Sequence, residues 1–562
     1  MFSPALSVRC PGSIPACARA CKVLAAHRVI WTKEEDMKTR SVWIAAVLFV
    51  AGVGSLVACG VRRDMAPMAY PSAQYLATPD AQERPGAGFN TEAYDRIVEN
   101  PFLAAAENPL STFAIDVDTA SYSNARRFLS QGQRPPPDAV RIEEFINNFR
   151  YEYPEPQGQA PFTVTAETTR CPWAPEHVLV QIGLRAKSIN QEGIPPRNLV
   201  FLIDVSGSMA DPNKLPLLKS ALRLLVEQLT ERDRLAMVVY AGSSGLVLPP
   251  TPGDRKGTII ESLDRLEAGG STNGGEGIQL AYRVARESFV QGGVNRVVLA
   301  TDGDFNVGVT SQGELTRLIE KERESGVFLT VLGFGMGNLK DSTMEKLADL
   351  GNGNYAYIDS LSEARKVLVH EAAGTLVTVA KDVKLQVEFN PARVRAWRLI
   401  GYENRLLRAE DFNNDKKDAG EMGAGHTVTA IYEIVPAGAQ GSQAALAGVD
   451  PLRYQTPRQA TPESGSDELL TVKARYKDPA GETSRLLTQT VSAEERDIRQ
   501  ASDNLRFAAA VAAFGMLLRG SEHKGNATLD LVRELAQSAL GRDPNGYRAE
   551  FLELVEKAKG VL

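Results

Sequence analysis

Cysteine is nearly absent from the part of this chain that reads as folded. Of five cysteines in 562 residues, Cys10, Cys17, Cys21 and Cys59 fall within the first 59 positions, and only Cys171 lies beyond them. That excludes a disulfide framework for the body, and no Cys-x-x-Cys pair offers zinc or redox chemistry. Histidine is equally sparse: His27, His177, His370, His426 and His523 show no local ligand spacing, and none lies between 178 and 369. Long Lys/Arg runs are also missing, and the formal net charge is only −6, so no nucleic-acid partner is expected. Finally, compositional bias is lacking. Apolar residues make up 43% and charged residues 23%, ordinary globular proportions that exclude global disorder and, at this length, leave room for several cores.

The one long hydrophobic run sits near the start. Lys38-Thr-Arg40 precedes a largely apolar stretch from Val42 to Ala58, which ends at Cys59. A positive segment followed by an apolar segment is the pattern of a secretory signal. Leu56-Val57-Ala58-Cys59 resembles a bacterial lipobox, which implies lipidation of Cys59 after cleavage. Buried acyl chains would then hold the protein on a membrane. Residues 1–36 precede Met37 and read as an upstream extension, 37–58 as the lipoprotein signal peptide, and the Pro/Gly-rich 59–95 as a tether.

Residues 96–196 mix helical stretches (Ser121 to Leu129, Asp138 to Phe149) with strand-like ones starting at Phe162 and Val178. From 197 to 373 the pattern becomes regular. Apolar runs at Asn198–Asp204, Arg234–Tyr240, Arg296–Thr301, Val327–Phe334 and Tyr355–Asp359 alternate with amphipathic helical stretches at Lys214–Leu229, Gly257–Glu267, Gly275–Phe289, Gln312–Glu324, Ser342–Leu350 and Ser362–Ala373. Continuous apolar strands between helices predict an α/β doubly wound, mostly parallel sheet buried on both faces. A short Leu246–Leu248 piece is expected beside it. Residues 374–502 carry period-two segments and read as β-rich; 503–562 read as C-terminal helices at 503–519, 527–539 and 545–560. The flanking period-two strands suggest that the regular domain is inserted into one β-sandwich built from residues near 162–190 and 380–492.

Chemistry concentrates at the strand ends of the regular domain. Its first strand runs into Asp204-Val-Ser206-Gly-Ser208, Thr272 lies in a glycine-rich loop before a helix, and Asp302 follows the strand Arg296–Thr301. In doubly wound sheets ligands bind outside the carboxyl ends of the strands, so these three segments can share one rim. Hard cations take oxygen ligands, and two serines flanking Gly207 can aim hydroxyls at one point. Singly, each piece is a common cap or turn; their joint placement argues for a site. Asp116-Val-Asp118-Thr119 has the look of a phosphatase motif with its Thr one position too early, and reads as a turn or helix start. Gly333-Phe-Gly-Met-Gly-Asn lacks the spacing of a dinucleotide loop.

Asp204-x-Ser206-x-Ser208, Thr272 and Asp302 resemble, position by position, the metal ion-dependent adhesion site of von Willebrand factor type A domains. Phe113-Ala-Ile-Asp-Val-Asp-Thr-Ala-Ser-Tyr-Ser, Pro172-Trp, Thr301-Asp-Gly-Asp-Phe-Asn-Val-Gly and Gly351-Asn-Gly-Asn-Tyr-Ala-Tyr are similar to the YfbK-like bacterial lipoproteins, from about residue 90 to the end. The resemblance implies a Rossmann-like domain at 197–373, a von Willebrand factor-associated region at 96–196, and Mg²⁺ (or Mn²⁺ or Ca²⁺) as cofactor. It implies direct ligation by Ser206 and Ser208, ligation by Thr272 directly or through water, and water-mediated roles for Asp204 and Asp302. One open metal position would take an acidic side chain of a protein partner. The expected function is noncatalytic binding at the bacterial cell envelope, in adhesion or envelope assembly. A scaffold with a vestigial metal site is the alternative, and a metal-dependent hydrolase a more remote one, because a nucleophilic serine would need a base that the sequence does not place there.

Overall fold

A computed structural model of the chain describes residues 92–562 except 191–192, 271–273, 304–311, 373, 375–376, 418, 440–460 and 495. The signal-type segment, Cys59, the tether up to residue 91 and Thr272 lie outside the described residues. The end of the expected tether is docked: Glu92 pairs with Arg127 at 2.9 Å, its Oε1 accepts from Gly337 N at 2.6 Å, and Asp95 pairs with Lys346 at 2.8 Å.

Four strands precede the regular domain: β1 (Leu103–Ala104), β2 (Leu110–Ala114), β3 (Phe162–Cys171) and β4 (Ala174–Ala186). The domain itself contributes β5 (Arg197–Asp204), β6 (Arg234–Tyr240), β7 (Ser244–Pro252), β8 (Val294–Thr301), β9 (Phe328–Phe334) and β10 (Tyr355–Ile358). These pair in the order β10-β9-β8-β5-β6-β7, parallel except for β6 with β7. The expected Leu246–Leu248 piece is thus the middle of a longer antiparallel edge strand. Alternate residues of β5 separate the two cores. Leu199, Phe201 and Ile203 meet the helices at 215–227, 256–264 and 361–365, whereas Val200 and Leu202 meet those at 274–287, 312–324 and 341–350. The helix Leu215–Glu227 turns Leu218, Leu222 and Leu225 inward at helical spacing. Each such leucine contributes about 1.5–3 kcal/mol when fully buried. The helix expected to run to Ala373 is α-helical only over Leu361–Arg365, then continues as a π-turn over Lys366–His370.

After the domain come β11 (Thr378–Phe389), β12 (Val394–Ile400), β13 (Leu406–Leu407), β14 (Gly420–Gly423), β15 (Thr427–Pro436), β16 (Glu468–Lys477) and β17 (Ser484–Ser492). They do not form a sheet by themselves. One sheet has the order β1-β12-β15-β4-β3 and the other β13-β2-β11-β16-β17, with β14 on β11, so strands from both sides of the domain interleave in both sheets. The sheets face each other across one core that includes Phe113, Ile182, Val387, Leu399, Tyr432 and Val472, with Phe389 stacked on Trp397 at 4.6 Å. The regular domain is therefore an insertion between β4 and β11.

Period-two alternation in β15 does not mark a wet face. Val428, Ala430, Tyr432 and Ile434 enter the sandwich core, while Ile431 faces the helices at 120–130, 142–147 and 503–519, so the strand is buried along nearly its whole length. On the helical side Thr429 bonds Tyr153 at 2.8 Å, and Glu433 holds Arg398 at 2.7 Å and His177 at 2.6 Å. The helix Asp503–Arg519 is apolar around most of its circumference because it lies inside this third layer. It begins with the Ser502 hydroxyl accepting from Leu505 N and stops at Gly520, whose φ is +76°. The remaining helices span Leu529–Ser538 and Tyr547–Ala558. None of the helices among the described residues is long and apolar enough to cross a membrane.

Candidate metal-binding site

β5 is an eight-residue strand buried end to end, and the chain leaves it in one direction for β6 and β7 and in the other for β8. That reversal of strand order opens a crevice between the carboxyl ends of β5 and β8. Asp204 closes β5 and Asp302 follows β8, so the topology brings two carboxylates, nearly a hundred residues apart in sequence, to one rim.

The Asp204 carboxylate is fully buried and well held. Its Oδ1 accepts from Ser206 N at 2.9 Å, making the tight turn that Asp favours. Its Oδ2 accepts from the Tyr240 hydroxyl at the end of β6 and the Thr301 hydroxyl at the end of β8, each at 3.2 Å. Burial pushes its carboxyl above the usual range, and the Ser206 hydrogen bonds act against that shift. A bound divalent cation would favour the carboxylate strongly.

Ser206 and Ser208 bring their hydroxyls to 3.0 Å of each other, Ser206 buried and Ser208 exposed. The turn between them is braced by the incoming glycine loop: Gly207 N donates to Gly270 O at 3.1 Å, and Gly269 N to Val205 O at 2.7 Å. Thr272, two residues further on, lies outside the described residues. Gly303 has φ +104°, and a Cβ there would lie within 2.8 Å of the 338–340 backbone, so only glycine lets the chain turn away after Asp302.

Sequence reasoning missed the charge nearest the site. Lys214, whose position reads as the first residue of a helix, is buried, and its ammonium donates to Asp302 Oδ2 and to Ser208 O, both at 3.0 Å. No motif spacing marks it. Tyr240 and Thr301 did carry a signal: each is a polar residue that closes an apolar strand beside β5.

The donor set suits a hard cation. Hydroxyl and carboxylate oxygens converge, and among the described residues no group of three or more His, Cys, Asp and Glu side chains is placed to hold a metal. Asp116-Val-Asp118-Thr119 serves elsewhere. Asp118 is buried and accepts from Tyr355 N at 2.7 Å and Arg405 at 3.1 Å, and Arg405 also pairs with Asp349 at 2.6 Å and Glu345 at 2.9 Å. This is a clamp between the inserted domain and the sandwich. In the glycine loop after β9, Gly335 and Gly337 have positive φ, and Gly335 O accepts from the Tyr357 hydroxyl.

Comparison with known proteins matches this layout. The family model described as von Willebrand factor type A domain matches residues 198–370, one described as von Willebrand factor matches 88–181, and one described as Uncharacterized protein YfbK, C-terminal, matches 374–561. An Escherichia coli (strain K12) protein described as Uncharacterized protein YfbK is 46% identical over 478 residues, 84% of this chain and 82% of that protein. Uncharacterized protein sll0103 of Synechocystis is 29% identical over 185 residues, 33% of this chain and 43% of that protein. Among solved structures, a von Willebrand factor type A protein from Catenulispora acidiphila aligns with 72% of this chain and 92% of its own at 16% identity and a TM-score of 0.40.

Proposed function

The chain belongs to the YfbK family and carries a von Willebrand factor type A domain, and from that premise we propose that it is a noncatalytic, lipid-anchored envelope protein that binds protein partners through a divalent cation. Asp204, Ser206, Ser208 and Asp302, with Thr272 from the glycine loop, are the residues that would hold Mg²⁺, Mn²⁺ or Ca²⁺. When bound, such an ion supplies an electron-poor centre able to take a partner's Asp or Glu carboxylate. Asp204 fixes the turn that aims both serines. Asp302, paired with Lys214, stands at the carboxyl end of β8 across from it. The observation that carries this reading is the placement of the paired serine hydroxyls and the buried Asp204 and Asp302 at the carboxyl ends of β5 and β8, where the strand order reverses.

Calorimetric titration of the protein with Mn²⁺ tests it. Binding should be saturable in the wild type and lost in Asp204→Ala, and undiminished binding in that variant would sink the proposal. Anchoring rests on Leu56–Cys59 alone. Labelled palmitate should enter the wild type and not Cys59→Ser, and equal incorporation would remove the anchor. The acidic partner should be captured from envelope extract in Mg²⁺ and released by chelator.

One observation favours the scaffold alternative. The Lys214 ammonium already neutralises Asp302, so the crevice contains an internal cation. In a scaffold of that kind, capture of partners would be indifferent to chelator.

A further inference from the structure

A cavity of about 630 Å³ lies far from the crevice, between the inserted domain and the sandwich. Leu199, Leu225, Val298, Leu332, Val367 and Leu368 give it an apolar wall on the domain side. Among them stands Arg296, a guanidinium buried at 2% exposure on β8. It sits six residues before Asp302, roughly 20 Å along the strand.

Arg296 is poorly compensated. Its Nη1 donates to the Thr330 hydroxyl at 2.6 Å and its guanidinium lies 5.8 Å from the centre of the Phe328 ring, but its Nε has no hydrogen-bond partner, and among the described residues no carboxylate forms an ion pair with it. Burial lowers its pKa to about 10, opposed by the more distant charge of Glu421. The side chain therefore remains cationic at neutral pH. Of the acidic groups around the cavity, Asp116, Asp118 and Asp349 are engaged by Arg405 and Glu371 by Lys366 at 3.8 Å, while Glu421 also lines it. A buried cation left with an unmet donor costs several kcal/mol in a folded protein unless something completes it. The cavity also has a route out. Arg323, Asn352, Thr378 and Glu421 line both it and an outer pocket that contains Lys381, Lys416 and Lys477.

We propose that this cavity is a second binding site, separate from the crevice, for a small amphiphilic anion: one carboxylate or phosphate head on Arg296 and Thr330, with an apolar body against the leucine and valine wall. Its volume lies in the range that holds small organic ligands, roughly 300–1,000 Å³. The outer pocket carries both signs, with Lys381, Lys416 and Lys477 beside Glu324, Asp382 and Asp415, so the selection for an anion falls to Arg296 itself.

The test uses the full chain, titrated calorimetrically with octanoate, monooctyl phosphate, inorganic phosphate and octylammonium. Saturable binding is expected for at least one of the first two, and which one binds identifies the head group. Arg296→Met should weaken it at least tenfold, while Arg296→Lys should retain it. Arg296→Met removes an uncompensated buried charge, so it should melt no lower than wild type and the loss cannot be assigned to unfolding. Four results would each overturn the proposal: no binding of either alkyl anion, equal binding in Arg296→Met, equal affinity for octylammonium, or inorganic phosphate binding as tightly as its octyl ester. Metal binding at the crevice is read separately in Arg296→Met with Mn²⁺ and should be unchanged.

Discussion

Replacing Lys214 by methionine removes the cation that pairs with Asp302. The ammonium lies 3.0 Å from Asp302 Oδ2 with both side chains nearly out of water. At an effective dielectric of about 20 the gross attraction is roughly 5 kcal/mol. Truncating one partner of a buried pair costs about 3–5 kcal/mol. In chelator, Lys214→Met should therefore lower the melting temperature by roughly 10 °C, at about 2–4 °C per kcal/mol for a domain of this size. A divalent cation in the crevice brings its own positive charge to Asp302. Saturating Mg²⁺ should restore at least half of the deficit, and Mn²⁺ should bind the variant at least tenfold more tightly, since a competing cation is gone. The assay is thermal unfolding followed by circular dichroism, with and without Mg²⁺, beside a Mn²⁺ titration. An equal deficit in Mg²⁺ and in chelator, with unchanged Mn²⁺ affinity, would refute the competition.

Three further outcomes follow from the packing. Arg405→Met should destabilise the protein by about 3–5 kcal/mol, because Asp118, Glu345 and Asp349 all lose their common cation; limited proteolysis should then cut at the borders of the inserted domain, and a resistant variant would count against the clamp. Burial, reinforced by neighbouring carboxylates, pushes Asp349 and Glu143 up to about 7, so each adds stability that is present below the unfolded-state value near 4 and lost as pH rises through 7; Asp349→Asn and Glu143→Gln should each flatten that fall in urea titrations from pH 4 to 8. Gly183→Ala should cost about 1–3 kcal/mol, since its Cβ would lie 2.3 Å from the Tyr153 ring and displace the hydroxyl that bonds Thr429; a fully stable variant would show that the ring is not held there.

The central sheet was legible because β5, β8 and β9 are continuous apolar runs that nothing but a doubly covered sheet accommodates. Asp204, Ser206, Ser208 and Asp302 were legible because strand ends locate them. The sandwich was less so. Period two tells which residues share a face, but not which strand pairs with which, and the alternation over Thr427–Ile434 does not reveal that helices cover the second face of that strand. The helix Asp503–Arg519 hides its destination for a similar reason: a helix buried around most of its surface has no stripe to point at a partner. Lys214 and Arg296 could not be singled out, because a lysine before a helix and an arginine opening a strand are ordinary until burial shows what faces them.

The insertion also sets an order of events during synthesis. Asn147 donates to Thr429 O across 282 residues, and β4 waits nearly as long for β15, with Arg185 opposite Thr427 and Val178 opposite Ile434. At about 5–20 residues per second, a ribosome needs roughly 15–60 s to supply the missing partners. The strands of the inserted domain pair only with one another, and the last of them ends at Ile358, ahead of β15 at Thr427, whereas β3 and β4 wait as a hairpin with the β4 edge open. An open edge recruits other chains. The interval in which this protein is most exposed to association with other chains is therefore that wait, which ends when β15 covers the β4 edge.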